Sequence, residues 1–198
     1  MHNIELTDLN SPRGRLQQAS AKLFKEKGFA KTTVRDIAAS IGIQSGSIFH
    51  HFKNKEQILK TVIIDAILRV LAPMKEVLST TNNIEEQFNS LILCELNAIH
   101  DEQLDGFRLM LSEWRSLNEE NRNEILILRD EYEKIWLEIL TLAFEKGLVN
   151  IEGFYLRGFI RGALIETSNW YKPDGNLSLD DLAAKLSAAF LNKTNLNK

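Results

Sequence analysis

Residues 32–55, Thr-Thr-Val-Arg-Asp-Ile-Ala-Ala-Ser-Ile-Gly-Ile-Gln-Ser-Gly-Ser-Ile-Phe-His-His-Phe-Lys-Asn-Lys, hold two short helical patterns on either side of one sharp turn. Thr33 is placed to cap the first helix, and Asp36, three residues on, can answer as the acid of a capping box. Val34, Ile37, Ala38 and Ile41 then repeat at helical spacing and give that helix one apolar face. Gly42 supplies the stop, because a residue without Cβ accepts the positive φ that ends a helix abruptly. Ile43 is expected to pin the turn into the core. Ser45 is expected to cap a second helix that turns Ile48 and Phe52 inward. Gln44, Ser45, Ser47, His50 and His51 are left facing outward, a row of short or hydrogen-bonding side chains that contains no acid. Such a pair of helices suits a groove in duplex DNA.

Charge supports that reading. The chain has 198 residues and a formal net charge of −3, which at first argues against a polyanionic partner. The average hides a division: between Ser11 and Lys60 there are ten basic residues (Arg13, Arg15, Lys22, Lys25, Lys27, Lys31, Arg35, Lys53, Lys55, Lys60) and three acidic ones (Glu26, Asp36, Glu56). Positive charge is therefore concentrated around the two-helix pattern, as a phosphate-binding surface requires, and the remainder of the chain is acidic.

The run Gly46-Ser47-Ile48-Phe49-His50-His51-Phe52, with Lys53-Asn54-Lys55-Glu56 after it and Gly28-Phe29 and Thr33-Val34-Arg35-Asp36-Ile37-Ala38 before it, resembles the DNA-binding end of the TetR family of transcriptional regulators. The likeness extends from about Ser11 to Leu71. It implies a helix-turn-helix head over residues 11–71, with the motif itself at about 34–53, and a ligand-sensing and dimerisation domain over 72–198. It implies that Gln44, Ser45, Ser47 and His50 meet base edges or nearby backbone, that Thr33, Arg35, His51 and Lys55 hold phosphates, and that Gly46 lets the helix backbone approach the DNA. Phe49 departs from the family pattern, which usually has Tyr there with its hydroxyl on a phosphate. One neutral hydrogen bond of about 1 kcal/mol is not enough to abolish binding.

The rest of the chain reads as helix, with only three prolines and no alternating strand pattern, so the expected class is all-α with about nine helices. Ser11-Pro12 is an N-cap followed by proline at the first helical position, and Leu16, Ala19, Leu23 and Phe24 form the stripe of a first helix ending near Gly28. Asn54 can cap a fourth, with Ile58, Leu59, Val62, Ile63, Ala66 and Val70 inward until Pro73 ends or kinks it. Thr80-Thr81-Asn82-Asn83 marks a break before a fifth helix. A sixth is expected over Leu104 to Leu117, a seventh from Glu119 to Lys146 with Gly147 as its stop, an eighth from Ile151 to Trp170, and a ninth opened by Ser178 with Asp181. Asn192 to Lys198 are expected to fray.

The eighth and ninth helices carry the expected dimer contact, the one TetR-like regulators use. Gly158 and Gly162 lie one turn apart and clear one helix face for close approach, while Phe154, Phe159, Leu164, Trp170, Leu186 and Phe190 supply apolar area. Two heads related by a twofold axis would read half-sites of a palindromic operator about 34 Å apart, or a multiple of that. Glu113-Trp114-Arg115 and Asn169-Trp170-Tyr171-Lys172-Pro173-Asp174-Gly175 are similar to a branch of the family that responds to acyl-CoA thioesters in fatty-acid or steroid breakdown. Arg108, Trp114, Arg115 and Trp136 are the candidate contacts to such an effector, held between the fourth and eighth helices. Arg157 and Arg161, one turn apart, are further candidates to pair with its anionic groups.

Other classes find little support. Cys94 is the single cysteine, which rules out an intrachain disulfide and reads as a small core residue. The four histidines, His2, His50, His51 and His100, lack the spacing of a zinc site, and no phosphate loop or nucleophile elbow occurs. No catalytic residue, metal or cofactor is expected. An all-helical carrier or enzyme that keeps the architecture without regulating genes remains the alternative, and it predicts no salt-dependent retention on heparin. No run of 18 apolar residues exists, and the opening residues resemble neither a signal peptide nor a presequence, so a cytoplasmic protein without membrane contact is expected.

Overall fold

The computed structural model describes residues 6–101 and 106–192; His2, the start of the sixth helix at Leu104 and residues 193–198 lie outside the described residues. Among the described residues there are nine α-helices, one 3-10 turn and no strand. The helices are α1 (Pro12–Lys27), α2 (Val34–Ser40), α3 (Ser45–Ile48), α4 (Lys55–Thr80), α5 (Ile84–Ile99), α6 (Gly106–Ser112), α7 (Glu119–Glu145), α8 (Gly153–Trp170) and α9 (Leu179–Phe190), with the 3-10 turn at Trp114–Ser116.

Local signals set most of these limits. Ser11 caps α1, accepting from the Gly14 amide, and Gly28 closes it at φ 82°. The Asn83 side chain accepts from the amides of Glu85 and Glu86 at the start of α5, Ser178 accepts from Asp181 at the start of α9, and Gly147 ends α7 at φ 70°. Asn54 Oδ1 takes the Gln57 amide at 2.8 Å. Pro73 does not end α4, which continues through it to Thr80. The flanking Val70, Leu71 and Met74 are buried, so packing outweighs the one missing backbone bond. The expected sixth helix is shorter than its pattern, stopping at Ser112 before the separate 3-10 turn.

The chain forms two compact units, one from Met1–Arg69 with Asp101–Arg129 and one from Val70–His100 with Asp130–Lys198. In the first, Leu16, Ala21, Phe24, Ile37, Ala38, Ile48, Phe52, Ile58, Leu59 and Val62 make the core. α6 joins this unit through contacts with α1. Gly106 lets α6 also come close to α4, since a Cβ there would lie 2.7 Å from the Val62 carbonyl oxygen. In the second, α5 packs on α8 and α9 around Phe88, Leu91, Ile92, Trp136, Leu140, Ile160, Leu164, Leu182 and Ala183. Asn192 is pinned, its amide donating to Leu148 O at 2.8 Å and its side chain exchanging two 2.8 Å bonds with Asn150.

Candidate nucleic-acid interface

The two-helix pattern folds as a helix-turn-helix whose joints are all made by backbone and short side chains. Thr33 caps α2 in a complete capping box: the Asp36 amide donates to Thr33 Oγ1 at 3.1 Å, and the Thr33 amide donates to Asp36 Oδ2 at 2.8 Å. The Thr33 hydroxyl also donates to Asp36 Oδ2 at 2.6 Å. These bonds, hydroxyl first and amide second, hold the Asp36 carboxyl below the usual carboxylate range, so the cap stays charged at neutral pH. At the other end Gly42 takes φ 69°. The Ile43 amide reaches back to Ala38 O at 3.0 Å and the Gly42 amide to Ala39 O at 3.3 Å, the paired bonds of a Schellman stop.

Two details differ from the sequence expectation. Ser45 does not cap α3: Gln44 holds the cap position, with no side-chain bond, because its carbonyl accepts the first helical bond, from the Ser47 amide at 2.9 Å. Ile43 does not reach the core and stays 38% exposed, the space under the turn being filled by Ile37, Ala38, Ile48 and Phe52. α3 itself has only four residues. Tight turns then carry the chain from Phe49 to Phe52, with His50 N–H on Ser47 O and His51 N–H on Ile48 O.

Gln44, Gly46, Phe49 and His50 are exposed, as is Arg35 on the first turn of α2, while Ser45, Ser47 and His51 are half-buried. Thr33 is exposed, its hydroxyl engaged by Asp36. A Cβ added at Gly46 would meet no heavy atom within 4 Å. Phe49 is 56% exposed. Arg13 braces the far end of this surface, donating to His51 O at 2.7 Å with its guanidinium 4.3 Å from the Phe52 ring centroid.

Lys55 is engaged inside the head. Its ammonium donates to Phe29 O at 2.6 Å and Thr32 O at 2.8 Å and lies 4.1 Å from the Phe29 ring centroid. Two of its three N–H groups therefore serve the α1–α2 turn, which periodicity and charge counting do not reveal. The contacts of two acids were likewise not legible in the sequence. Glu113 accepts from the Phe29 amide at 3.2 Å and from Ser116 Oγ at 2.9 Å. Glu56 accepts from the Asn118 amide and the Asn121 side chain, each at 2.6 Å. With Lys60 on Glu124 at 2.9 Å, they fasten the 106–124 stretch to the head.

The candidate effector residues are divided between the units. In the first, Arg108 is half-buried with its Nε lacking an acceptor, Trp114 lies 6.0 Å from the Arg129 guanidinium, and Arg115 is exposed. Trp136 belongs to the second unit, where it is fully buried with its ring 4.6 Å from the Arg157 guanidinium. Arg157 is not available to an anionic ligand. Its Nε donates to Glu133 at 2.8 Å, NH1 to Glu95 at 3.1 Å and NH2 to the Tyr132 hydroxyl at 3.0 Å. Burial opposes its charge, but Glu95, then Tyr132 and Glu133, outweigh that and raise its pKa. Arg161 is exposed, 3.8 Å from Glu133.

On α8, Phe154, Phe159 and Trp170 are 75%, 59% and 51% exposed, and Tyr155, which the sequence reading passed over, is 60% exposed. A Cβ at Gly158 or Gly162 would meet nothing within 4 Å. Leu186 and Phe190 are half-buried. Leu164 is fully buried in its own unit and is removed from the expected contact face, since it lies on the opposite side of α8 from Gly158 and Gly162.

Residues 16–62 match the family model for bacterial regulatory proteins of the tetR family, and residues 81–194 match that for the tetracyclin repressor-like C-terminal domain. The chain belongs to the TetR family. The HTH-type transcriptional repressor KstR2 of Mycolicibacterium smegmatis is 30% identical over 184 residues, covering 91% of this chain and 89% of that protein. The structure of the ketosteroid transcriptional regulator KstR2 of Mycobacterium tuberculosis is 26% identical with a TM-score of 0.81, covering 95% and 99%. The crystal structure of superantigen PfiT is 42% identical with a TM-score of 0.78, covering 94% of this chain and all of that one. This TetR-family chain is a DNA-binding transcriptional regulator, and the KstR2 relatives it matches are transcriptional repressors. Among the described residues no helix is long and apolar enough to cross a membrane.

Proposed function

We propose that two copies of this chain, joined through the exposed face of α8 with α9, present α3 to successive major grooves of a palindromic operator. The head is residues 11–71 and the sensing and dimerisation domain is 72–198. Gln44, Ser45, Ser47 and His50 read base edges; Thr33, Arg35 and His51 hold the backbone, and Lys55 has one N–H left for a phosphate. The observation that carries this reading is the acid-free set Gln44, Ser45, Ser47 and His50, exposed at Gln44 and His50 and half-buried at the two serines, on the basic segment of an otherwise acidic chain. Phe154, Tyr155, Phe159 and Trp170 with Gly158 and Gly162 form the dimer face, and Leu186 and Phe190 border it.

The effector is a small molecule of the acyl-CoA or related lipid class, and it releases the repressor from its operator in the cytoplasm. The Glu113-Trp114-Arg115 and Asn169–Gly175 segments and the kinship with a ketosteroid regulator support that class. Arg108, Trp114 and Arg115 remain the side chains to test against it. Differential affinity of about 1–3 kcal/mol between the two states changes DNA affinity 5- to 150-fold. Selection of bound duplexes from a random library, followed by footprinting, tests the proposal. A palindrome protected over two half-sites about 34 Å apart, or a multiple of that, is the expected result. Binding that recovers no sequence at low salt refutes it.

A further inference from the structure

Phe49 has no hydroxyl to offer a phosphate, yet it stands 56% exposed at the end of α3, in αR geometry. Its sequence neighbour Ile48 and, three residues on, Phe52 are buried, so the core is filled from the adjacent side of the turn and this ring projects away from it. One helical turn earlier stands Gly46, where an added Cβ would find open space. Nothing inside the protein requires that glycine. Together the two positions make a step on the reading surface, flat backbone at Gly46 beside an apolar ring at Phe49. The other side chains of the row, Gln44, Ser45, Ser47 and His50, are all hydrogen-bonding groups. In the major groove thymine alone among the four bases presents a methyl group, and apolar side chains are what recognise it.

We propose that Phe49, seated beside Gly46, reads the 5-methyl group of one thymine in each operator half-site. The inference rests on the proposed placement of the reading surface and adds a base preference to it. The basic segment around the ring favours duplex DNA as the occupant of this apolar step, since ten basic and three acidic residues lie between Ser11 and Lys60. Burying one methyl group corresponds to about a fourfold gain in affinity, and two symmetric half-sites to roughly 15-fold.

The test uses the full chain and an operator selected from a random library. Each thymine pair related by the palindrome is replaced in turn by deoxyuridine, which removes the methyl and nothing else, and binding is measured by fluorescence anisotropy at one salt concentration. One thymine position is expected at which wild-type affinity falls roughly 15-fold while Phe49→Ala is indifferent to the change. Gly46→Ala, which leaves the melting temperature unchanged or raised because its methyl meets open space, is expected to bind the thymine operator more weakly. If no thymine methyl matters to the wild type, or if Phe49→Ala responds to its loss as strongly as wild type, the contact is wrong although the reading surface stands. Failure to recover any operator overturns the reading surface and the contact with it.

Discussion

Arg157→Met tests the polar centre of the second unit. The guanidinium joins Glu95 on α5 to Tyr132 and Glu133 on α7, with side-chain exposures of 4% for Arg157, 2% for Glu95 and 23% for Glu133. Removing the cation leaves Glu133 within reach of water but strands Glu95 in the core. Breaking a buried pair from one side costs about 3–5 kcal/mol, a large part of a total stability of about 5–15 kcal/mol. For a chain of this size each kilocalorie lowers the melting temperature by about 2–4 °C, so a fall of roughly 6–20 °C is expected by circular dichroism at pH 7. Protein concentration is held fixed, because a dimer melts in a concentration-dependent way. The double variant Arg157→Met/Glu95→Met replaces the pair by apolar groups and is expected to recover most of the loss. A single variant that melts within about 2 °C of wild type, or a double variant no better than the single, refutes the reasoning.

Lys55→Met removes two carbonyl contacts and the contact with the Phe29 ring, so the head is expected to lose about 2 kcal/mol; if the ammonium serves the protein rather than a phosphate, the slope of log affinity against log salt changes by much less than the ~0.9 expected for one lost phosphate contact. Thr33→Ala removes the hydroxyl arm of the capping box and the hydroxyl bond to Asp36 while keeping the backbone arm, and is expected to cost about 1 kcal/mol in urea denaturation. Tyr132 is held well above the ordinary tyrosine pKa, by burial first and by the Glu95 charge second. An absorbance titration should therefore show one of the three tyrosines silent near pH 10. Because the folded value is the raised one, this group's contribution is intact below the unfolded pKa of 10.0 and is lost progressively as pH rises above it. Cys94, pushed up to about 11 by burial, is expected to react slowly with a thiol reagent at pH 7.5 in the native protein and rapidly after unfolding.

The elements legible in the sequence are those encoded within one helical turn. Ser11 with Pro12, Thr33 with Asp36, Gly42, Asn83, Gly147 and Ser178 each act on backbone groups a few residues away, and each stands where the local pattern puts it. Contacts between distant positions were not legible. Lys55 meets carbonyls 26 and 23 residues back in the chain, and Arg157 meets Glu95 across 62 residues, so charge counting could offer them only as free cations. Leu164 shows a related ambiguity. Helical spacing marks a residue as apolar but does not say whether its face meets its own chain or a second copy, and burial alone assigns Leu164 to the former. Pro73 within α4 illustrates packing overriding a local rule.

The α1–α2 turn has a consequence for transmission of force. Phe29 is gripped from both flanks, its amide by Glu113 and its carbonyl by Lys55, so the peptide planes on either side of it cannot swivel independently. A loop ordinarily absorbs strain by such swivelling. Here a pull on the 113–116 stretch arrives at the first residue of α4 with little slack, and the turn works as an axle rather than a spring.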